Sequence, residues 1–366
     1  AASDVYKRQD GTIADTGAGT HSGETAQEDP ADPPGEVKPE VPEEVTVLKH
    51  EKVVFEFSNR GGGIRHAEFL KQQEVGNDEE NVKLNRFGNH LIGALTAGPD
   101  DFLGHDYRVT KSGEREIEYL YIPPDKKGLF VKKRWSFLDD GEPGSAYRLK
   151  LELTLENTGS EAVDLSKLGI FMGSAAPLYQ REWDQQTNVF YSKGGDFKTK
   201  KATWFKKRDL FEKEFEEAYY AGVSNQFFAS ILTPAKPYDA KVWAKADTVT
   251  LPEAAGGGEK RALRAALSLP QEKLAADGGK KLLEYEFYLG PKRNRVLRQL
   301  GQERGNVMNY GSGFFWWMAW ISGALSWVLN VLHDSIFVHV ANKWSWGLAI
   351  VALTFLIHGL MWPLQN

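Results

Sequence analysis

The sequence predicts a mainly β protein: a large antiparallel β-sandwich, then an interfacial amphipathic helix and one transmembrane helix. Three observations carry this. Apolar residues alternate at period 2 in many segments between Val47 and Pro291, no helical pattern is interleaved with them, and apolar content rises sharply over the last fifty or so residues.

Before the strands, residues 1–46 hold the acidic, proline-rich run "GETAQEDPADPPGEVKPEVPEE". Such a composition buries too little apolar surface to offset its ordering entropy, so a disordered, extended tether is expected. The first nine residues, "AASDVYKRQ", resemble translated sequencing adapter, and the natural N-terminus is expected to lie outside this chain.

The sandwich is expected over 47–291. "VVFEF" places Val53, Phe55 and Phe57 on one face, and "REIEYLYI", "LFVKKRWSFL" and "LLEYEFYLG" repeat the alternation between turn clusters. In "YRLKLELTLENTG", Leu149, Leu151, Leu153 and Leu155 point one way while Arg148, Lys150, Glu152 and Thr154 point the other. Antiparallel sheet with one wet face reads this way. "SNRGGGI" lacks the Lys-Ser/Thr of a P-loop and the spaced glycines of a dinucleotide fingerprint, so it is a strand-to-strand turn that needs positive φ. "AAGGGEKR" and "ADGGKK" are further loop tips.

Charge and composition exclude several classes. A net charge of −5 offers no basic excess for nucleic acid. The local cluster Lys198, Lys200, Lys201, Lys206, Lys207 and Arg208 runs straight into Asp209, Glu212, Glu214, Glu216 and Glu217, as on a solvated, salt-bridged helix face. With no cysteine there is no disulfide framework, thiolate metal site or cysteine nucleophile. His66, His90 and His105 sit in separate segments without ligand spacing, and no triad order or carboxylate pair stands out. No cofactor or metal is expected, and no enzymatic chemistry.

A connecting segment over 292–311 leads to two apolar stretches. In the first, over 312–340, Ser322, Ser326, Asn330 and Asp334 recur at four-residue spacing, and Trp316, Trp317, Trp320 and Trp327 crowd the same region. A polar stripe with boundary-seeking tryptophans describes a helix lying in the interface plane. The second, over 344–366, is apolar all round except for Thr354 and His358, and reads as the span. Those two residues share one helix face. An ionisable ring in a membrane span is a functional-site candidate facing a polar groove. Gly359 and Pro363 fit helix packing and termination.

These blocks resemble the N-terminal part of YidC-type membrane protein insertases. The resemblance rests on "SNRGGGIRHAEFL", "AGVSNQFFASILTP", "YEFYLGPK", "MNYG" and "WGLAIVALTFLIHGLMWPL", in that order. It implies a periplasmic β-supersandwich on a multi-pass protein of the bacterial inner membrane, of which this chain is a fragment lacking a first membrane helix and later ones. It also implies nascent membrane proteins as substrates, the Sec translocon and membrane lipids as partners, and a groove in which His358 stands where an arginine is usual. Lys292, Arg293, Arg295, Arg298 and Arg304 precede the apolar end and by the positive-inside rule would place the sandwich in the cytoplasm. Large domains translocate largely regardless of such charge, so the implied topology is retained. A membrane-anchored periplasmic β-sandwich that binds glycan or protein is the alternative.

Overall fold

The computed structural model describes residues 41–74, 77–103, 106–138, 141–142, 144–309, 319–337 and 344–365. Residues 1–40 of the expected tether, His105, Trp316 and Trp317 lie outside them, while Val45 and Thr46, at the end of that tether, belong to the first strand. Twenty strands are found among the described residues.

A small antiparallel sheet takes β1 (Val45–Lys49), β2 (Val53–Ser58), β3 (Gly63–Glu74) and β4 (Asn77–Leu84) in sequence order. A long sheet of fourteen strands begins with β5 (Leu95–Gly98), β6 (Asp101–Phe102), β7 (Arg108–Ser112), β8 (Glu116–Tyr121), β9 (Leu129–Phe137) and β10 (Arg148–Asn157). After β11 (Val163–Asp164), which leaves it, the long sheet resumes with β12 (Gly169–Ala175), β13 (Asn188–Lys193), β14 (Asp196–Lys201) and β15 (Leu210–Ser224). It continues through β16 (Phe228–Pro234), β17 (Tyr238–Thr250) and β18 (Glu259–Ser268), and it closes with β20 (Gly279–Pro291). The short β19 (Lys273–Leu274) pairs only with β11. The main path of the long sheet runs β6-β5-β12-β18-β17-β15-β16-β20-β10-β9-β8-β7, with the β13–β14 hairpin attached to β15.

Alternation explains how the layers pack. Leu149, Leu151, Leu153 and Leu155 are each fully buried, and so are Val53, Phe55 and Phe57. Aromatic pairs join the sheets: Phe69 stacks on Phe228 at 4.6 Å and Phe57 meets Trp135 at 5.6 Å, while Trp135 meets Phe287 of its own sheet at 5.3 Å. Such pairs contribute roughly 0.5–1.5 kcal/mol each beyond their buried area. On the wet face an ion-pair ladder crosses three strands, Glu116 to Arg134 (2.7 Å), Arg134 to Glu152 (3.3 Å) and Glu152 to Lys150 (2.8 Å). Arg148 departs from the expected wet face, because it is nearly buried against Glu286 at 2.6 Å.

The cluster expected on a helix face is instead the β13–β14 hairpin, a 3-10 turn at Ala202–Lys206 and the start of β15. Clustered opposite charge suits a two-sided polar hairpin as well as a helix face, and β15 also carries a bulge. Phe211, Phe215 and Ala218 are buried at spacings that mimic a helix, but the step from Phe215 to Ala218 is a register shift in which Glu217 is left-handed, φ 49°. Glu212 then pairs across the ladder with Lys241 at 3.0 Å.

The glycine-rich turn between β2 and β3 behaves as expected, with Gly61 and Gly62 at φ 98° and 59°. What holds it is Lys133. This side chain is fully buried in phase with Val131 and Trp135, and its ammonium donates to the Gly61 carbonyl at 2.7 Å and the Gly93 carbonyl at 2.8 Å. It also lies 4.9 Å over the Tyr107 ring. The Trp135 indole donates to the Gly62 carbonyl at 3.2 Å, and a Cβ at Gly93 would fall 2.3 Å from that indole.

The chain ends with α1 (Asn294–Gln299), α2 (Ala319–Val331), a π-helical turn (Leu332–Phe337) and α3 (Ser345–Gln365). Among the described residues no helix is long and apolar enough to cross a membrane. In α3 the apolar run from Leu348 to Ile357, interrupted only by Thr354, ends at His358.

Burial pushes the Lys133 pKa down to about 7. The unfolded chain therefore holds this proton at pH values where the folded one has released it. Stability gained from this group is complete above about pH 10.4, falls as pH drops, and is gone below the folded pKa. We expect unfolding free energy to rise by on the order of 2–4 kcal/mol between pH 7 and 10, and this rise to shrink in Lys133→Met. Urea titrations across that range check it; equal slopes for both proteins would refute the assignment.

Candidate functional site

Three of the quoted sequence blocks meet at one end of the sandwich. Asn225 caps the turn from β15 into β16: its carboxamide oxygen accepts from the amides of Phe227 (2.9 Å) and Phe228 (2.8 Å), and its amide donates to the Ala176 carbonyl (2.8 Å). Lys292, just past β20, donates from its ammonium to the Asn225 carbonyl at 3.0 Å, while its backbone amide donates to Phe227. Asn309, from the "MNYG" block, donates to the Gln185 carbonyl at 3.1 Å.

Glu182 completes this hub from the loop after β12. It is 1% exposed and accepts amide hydrogens from Leu178 (2.8 Å) and Gln226 (2.7 Å). Burial raises its pKa, opposed by those two amides and by the positive charge of Lys292. Burial lowers Lys292 to about 8, with Glu182 pulling the other way. Phe227, Phe228, Pro291, Lys292, Met308 and Asn309 border an open cavity of about 690 Å³ beside the hub. Its chemistry is that of a clamp, since the polar groups are spent on backbone and on one another. Glu182 and Asn225 carry no local sequence signal, and Lys292 stands out in the sequence only as one of the basic residues before the apolar end. The signal for Lys133 was present, because a lysine keeps phase with Val131 and Trp135 on an apolar face.

The histidines divide. His66 and His90 border one groove of about 370 Å³, which their separation in sequence did not suggest. His66 stands 3.6 Å from Glu56, and burial lowers its pKa. His90 is stacked on Phe102 at 3.5 Å with its rings nearly parallel, and burial, then the charge of Arg264, lowers its pKa. Among the described residues no group of histidines and carboxylates is placed to hold a metal.

Thr354 and His358 do lie together. Both are exposed on α3, the Thr354 hydroxyl donating to the Ile350 carbonyl (2.8 Å) and His358 Nδ1 lying 3.0 Å from the Thr354 carbonyl. Each ring or hydroxyl thus bonds its own helix. Ser345 and Ala349 form the buried side of α3, and 100° per residue puts Thr354 and His358 on roughly the opposite face. The link to the preceding helix is His333, stacked on Trp346 at 3.8 Å and paired with Asp334 at 2.7 Å. Gly359 is exposed, with nothing within 4 Å of a would-be Cβ, so it makes no close helix packing among the described residues. Pro363 lies within α3, two residues before its end. Of the tryptophan anchors, Trp320 belongs to α2 and Trp327 is 66% exposed there.

A large antiparallel supersandwich whose ordered sequence blocks converge at the end that leads into apolar helices defines the class. The family described as "YidC periplasmic domain" matches residues 46–328, and the chain belongs to it. The membrane protein insertase YidC of Aeromonas hydrophila is 23% identical over 330 residues, covering 84% of this chain and 54% of that protein. The one from Shewanella halifaxensis is 33% identical over 91 residues, covering 25% of this chain and 14% of its relative. The chain thus spans about half, or less, of the curated relatives it matches. Solved structures of similar fold include a putative aldose 1-epimerase from Escherichia coli K12, at 12% identity and a TM-score of 0.44, covering 68% of this chain and 100% of that one.

Removing the Asn225 carboxamide leaves two buried amides and one carbonyl unpaired. Asn225→Ala should destabilise the sandwich by about 2–4 kcal/mol, read as a lowered urea midpoint with unchanged slope. A loss below about 0.5 kcal/mol would deny the hub its structural role.

Proposed function

We propose that this chain is the periplasmic portion, with adjoining membrane-seeking helices, of a membrane protein insertase and chaperone of the bacterial inner membrane. The match to the YidC periplasmic domain over residues 46–328 carries this reading. The substrates are nascent membrane proteins, received alone or beside the Sec translocon, with lipids as the surrounding partner. No covalent chemistry is involved. The work is to lower the desolvation penalty of polar segments, which insertion scales put at roughly 2.5–3.5 kcal/mol per full charge at mid-membrane.

The exposed pair Thr354 and His358 supports a role at a polar groove, because the face they occupy turns away from the contact with the preceding helix. An imidazole is the one side chain whose ordinary titration falls between pH 5 and 8. Its attraction for acidic tails then depends on pH, unlike that of arginine. The alternative, a periplasmic ligand-binding module, has in its favour the groove beside His66 and His90. That groove is partly spent, since Arg60 pairs with Asp106 and His90 is stacked on Phe102.

In cells depleted of their own insertase, the full-length protein that carries this chain should support insertion of an acidic-tailed membrane protein. His358→Arg should raise insertion at pH 8, and His358→Ala should lower it at pH 6, each by a few-fold. Protease protection of the translocated tail measures this. Equal insertion by all three at both pH values would remove any electrostatic role for the ring.

A further inference from the structure

A second candidate site lies where the end of the sandwich meets α2. A cavity of about 870 Å³ is bordered on one side by Asn294, Arg298, Glu303 and Arg304, and on the other by α2 residues including Gly323 and Trp327. The two sides differ in chemistry. Arg298 is exposed, its stem held over Gly305, where a Cβ would meet it at 3.0 Å. Arg293, which precedes the short helix, and Arg295 within it are exposed next to the cavity without bordering it and add two more positive charges; none of the three has an ion-pair partner among the described residues.

Other charges there are engaged. Arg304 is buried, donates to Thr233 Oγ1 at 3.0 Å and lies 4.7 Å over the Tyr220 ring. Glu303 accepts from the Phe197 amide and from the Asn306 carboxamide, both at 3.3 Å. Asn294 keeps a buried carboxamide oxygen with no partner among the described residues. The α2 side is small and apolar: Gly323 has nothing within 4 Å of a would-be Cβ, and Trp327 is largely exposed.

We infer that this cleft holds the headgroup of an anionic phospholipid, the phosphodiester facing Arg298 in the positive field that Arg293 and Arg295 add, and the glycerol and upper acyl chains lying on Gly323 and Trp327. The inference rests on the membrane association proposed above. A phosphate without acyl chains would leave the apolar side unused, and tryptophan prefers the boundary at which headgroups lie. Unpaired arginines present donors in the fork that phosphate oxygens match. The partnerless Asn294 oxygen provides an acceptor for a headgroup hydroxyl.

The test is co-sedimentation of the full chain with phosphatidylcholine vesicles, with and without phosphatidylglycerol. The chain should partition more strongly to the anionic vesicles. Arg293→Gln/Arg295→Gln/Arg298→Gln should weaken that preference by about fivefold per arginine while leaving binding to neutral vesicles unchanged. Arg298→Lys in the native background should retain most of it. Equal binding of the native chain to both vesicle types would overturn the site and leave membrane association standing; no binding to either would overturn both. Displacement by free glycerol phosphate, or arginine-dependent binding of soluble polyglutamate in place of vesicles, would reassign the cleft to a soluble anion or an acidic protein and overturn it too.

Discussion

The buried ammonium of Lys133 is the constraint on which the two-sheet arrangement depends. A cation in a core is tolerated only where several dipoles face it, and here two carbonyls and an aromatic face do so. Those carbonyls belong to Gly61 and Gly93, two separate loops, so one side chain of β9 fixes the β2–β3 turn and the segment before β5 at once. Trp135, two residues on, fills the space that Gly93 leaves by having no Cβ. Charge, ring and missing methyl therefore set a single register between the small sheet and the long one. An apolar residue at 133 fits the burial but leaves two carbonyls unpaired, which penalises the native arrangement more than the lysine does.

That register carries over to the other end of the sandwich. The small sheet places Phe69 against Phe228, and Phe228 gives its amide to Asn225. The Asn225 carbonyl in turn receives Lys292, from which the chain departs toward the helices. The blocks that identify the family are thus spread along the sequence but form one mechanical route, from the glycine turn, through the aromatic stack, to the exit of the chain. Their polar atoms are used within that route. This explains why they mark the family although none of them is arranged as a catalytic group.

The sequence made the strand pattern legible because inward and outward residues alternate in β10 from Leu149 onward, where four leucines face in. It misled at β15, where a bulge converted period 2 into the spacing of a helix. Glu217, the left-handed residue there, carries no glycine-like signal to warn of it. The hub was legible only as quoted blocks, since Glu182 meets Gln226 and Lys292 through long-range pairing that no local pattern encodes. At the C-terminal end, the i to i+4 relation of Thr354 and His358 was readable, because helical geometry alone determines it.

The placement of His358 follows from the same geometry. A histidine on the side packed against α2 would have to satisfy two ring nitrogens inside a contact built from Ser345, Ala349 and the His333–Trp346 stack. On the far side, Nδ1 reaches the Thr354 carbonyl in its own helix, and the other nitrogen is left for whatever approaches. The local bond fixes the ring's orientation, and the tautomer with it when Nδ1 is the donor. Nε2 then presents a lone pair at neutral charge and a second donor when protonated.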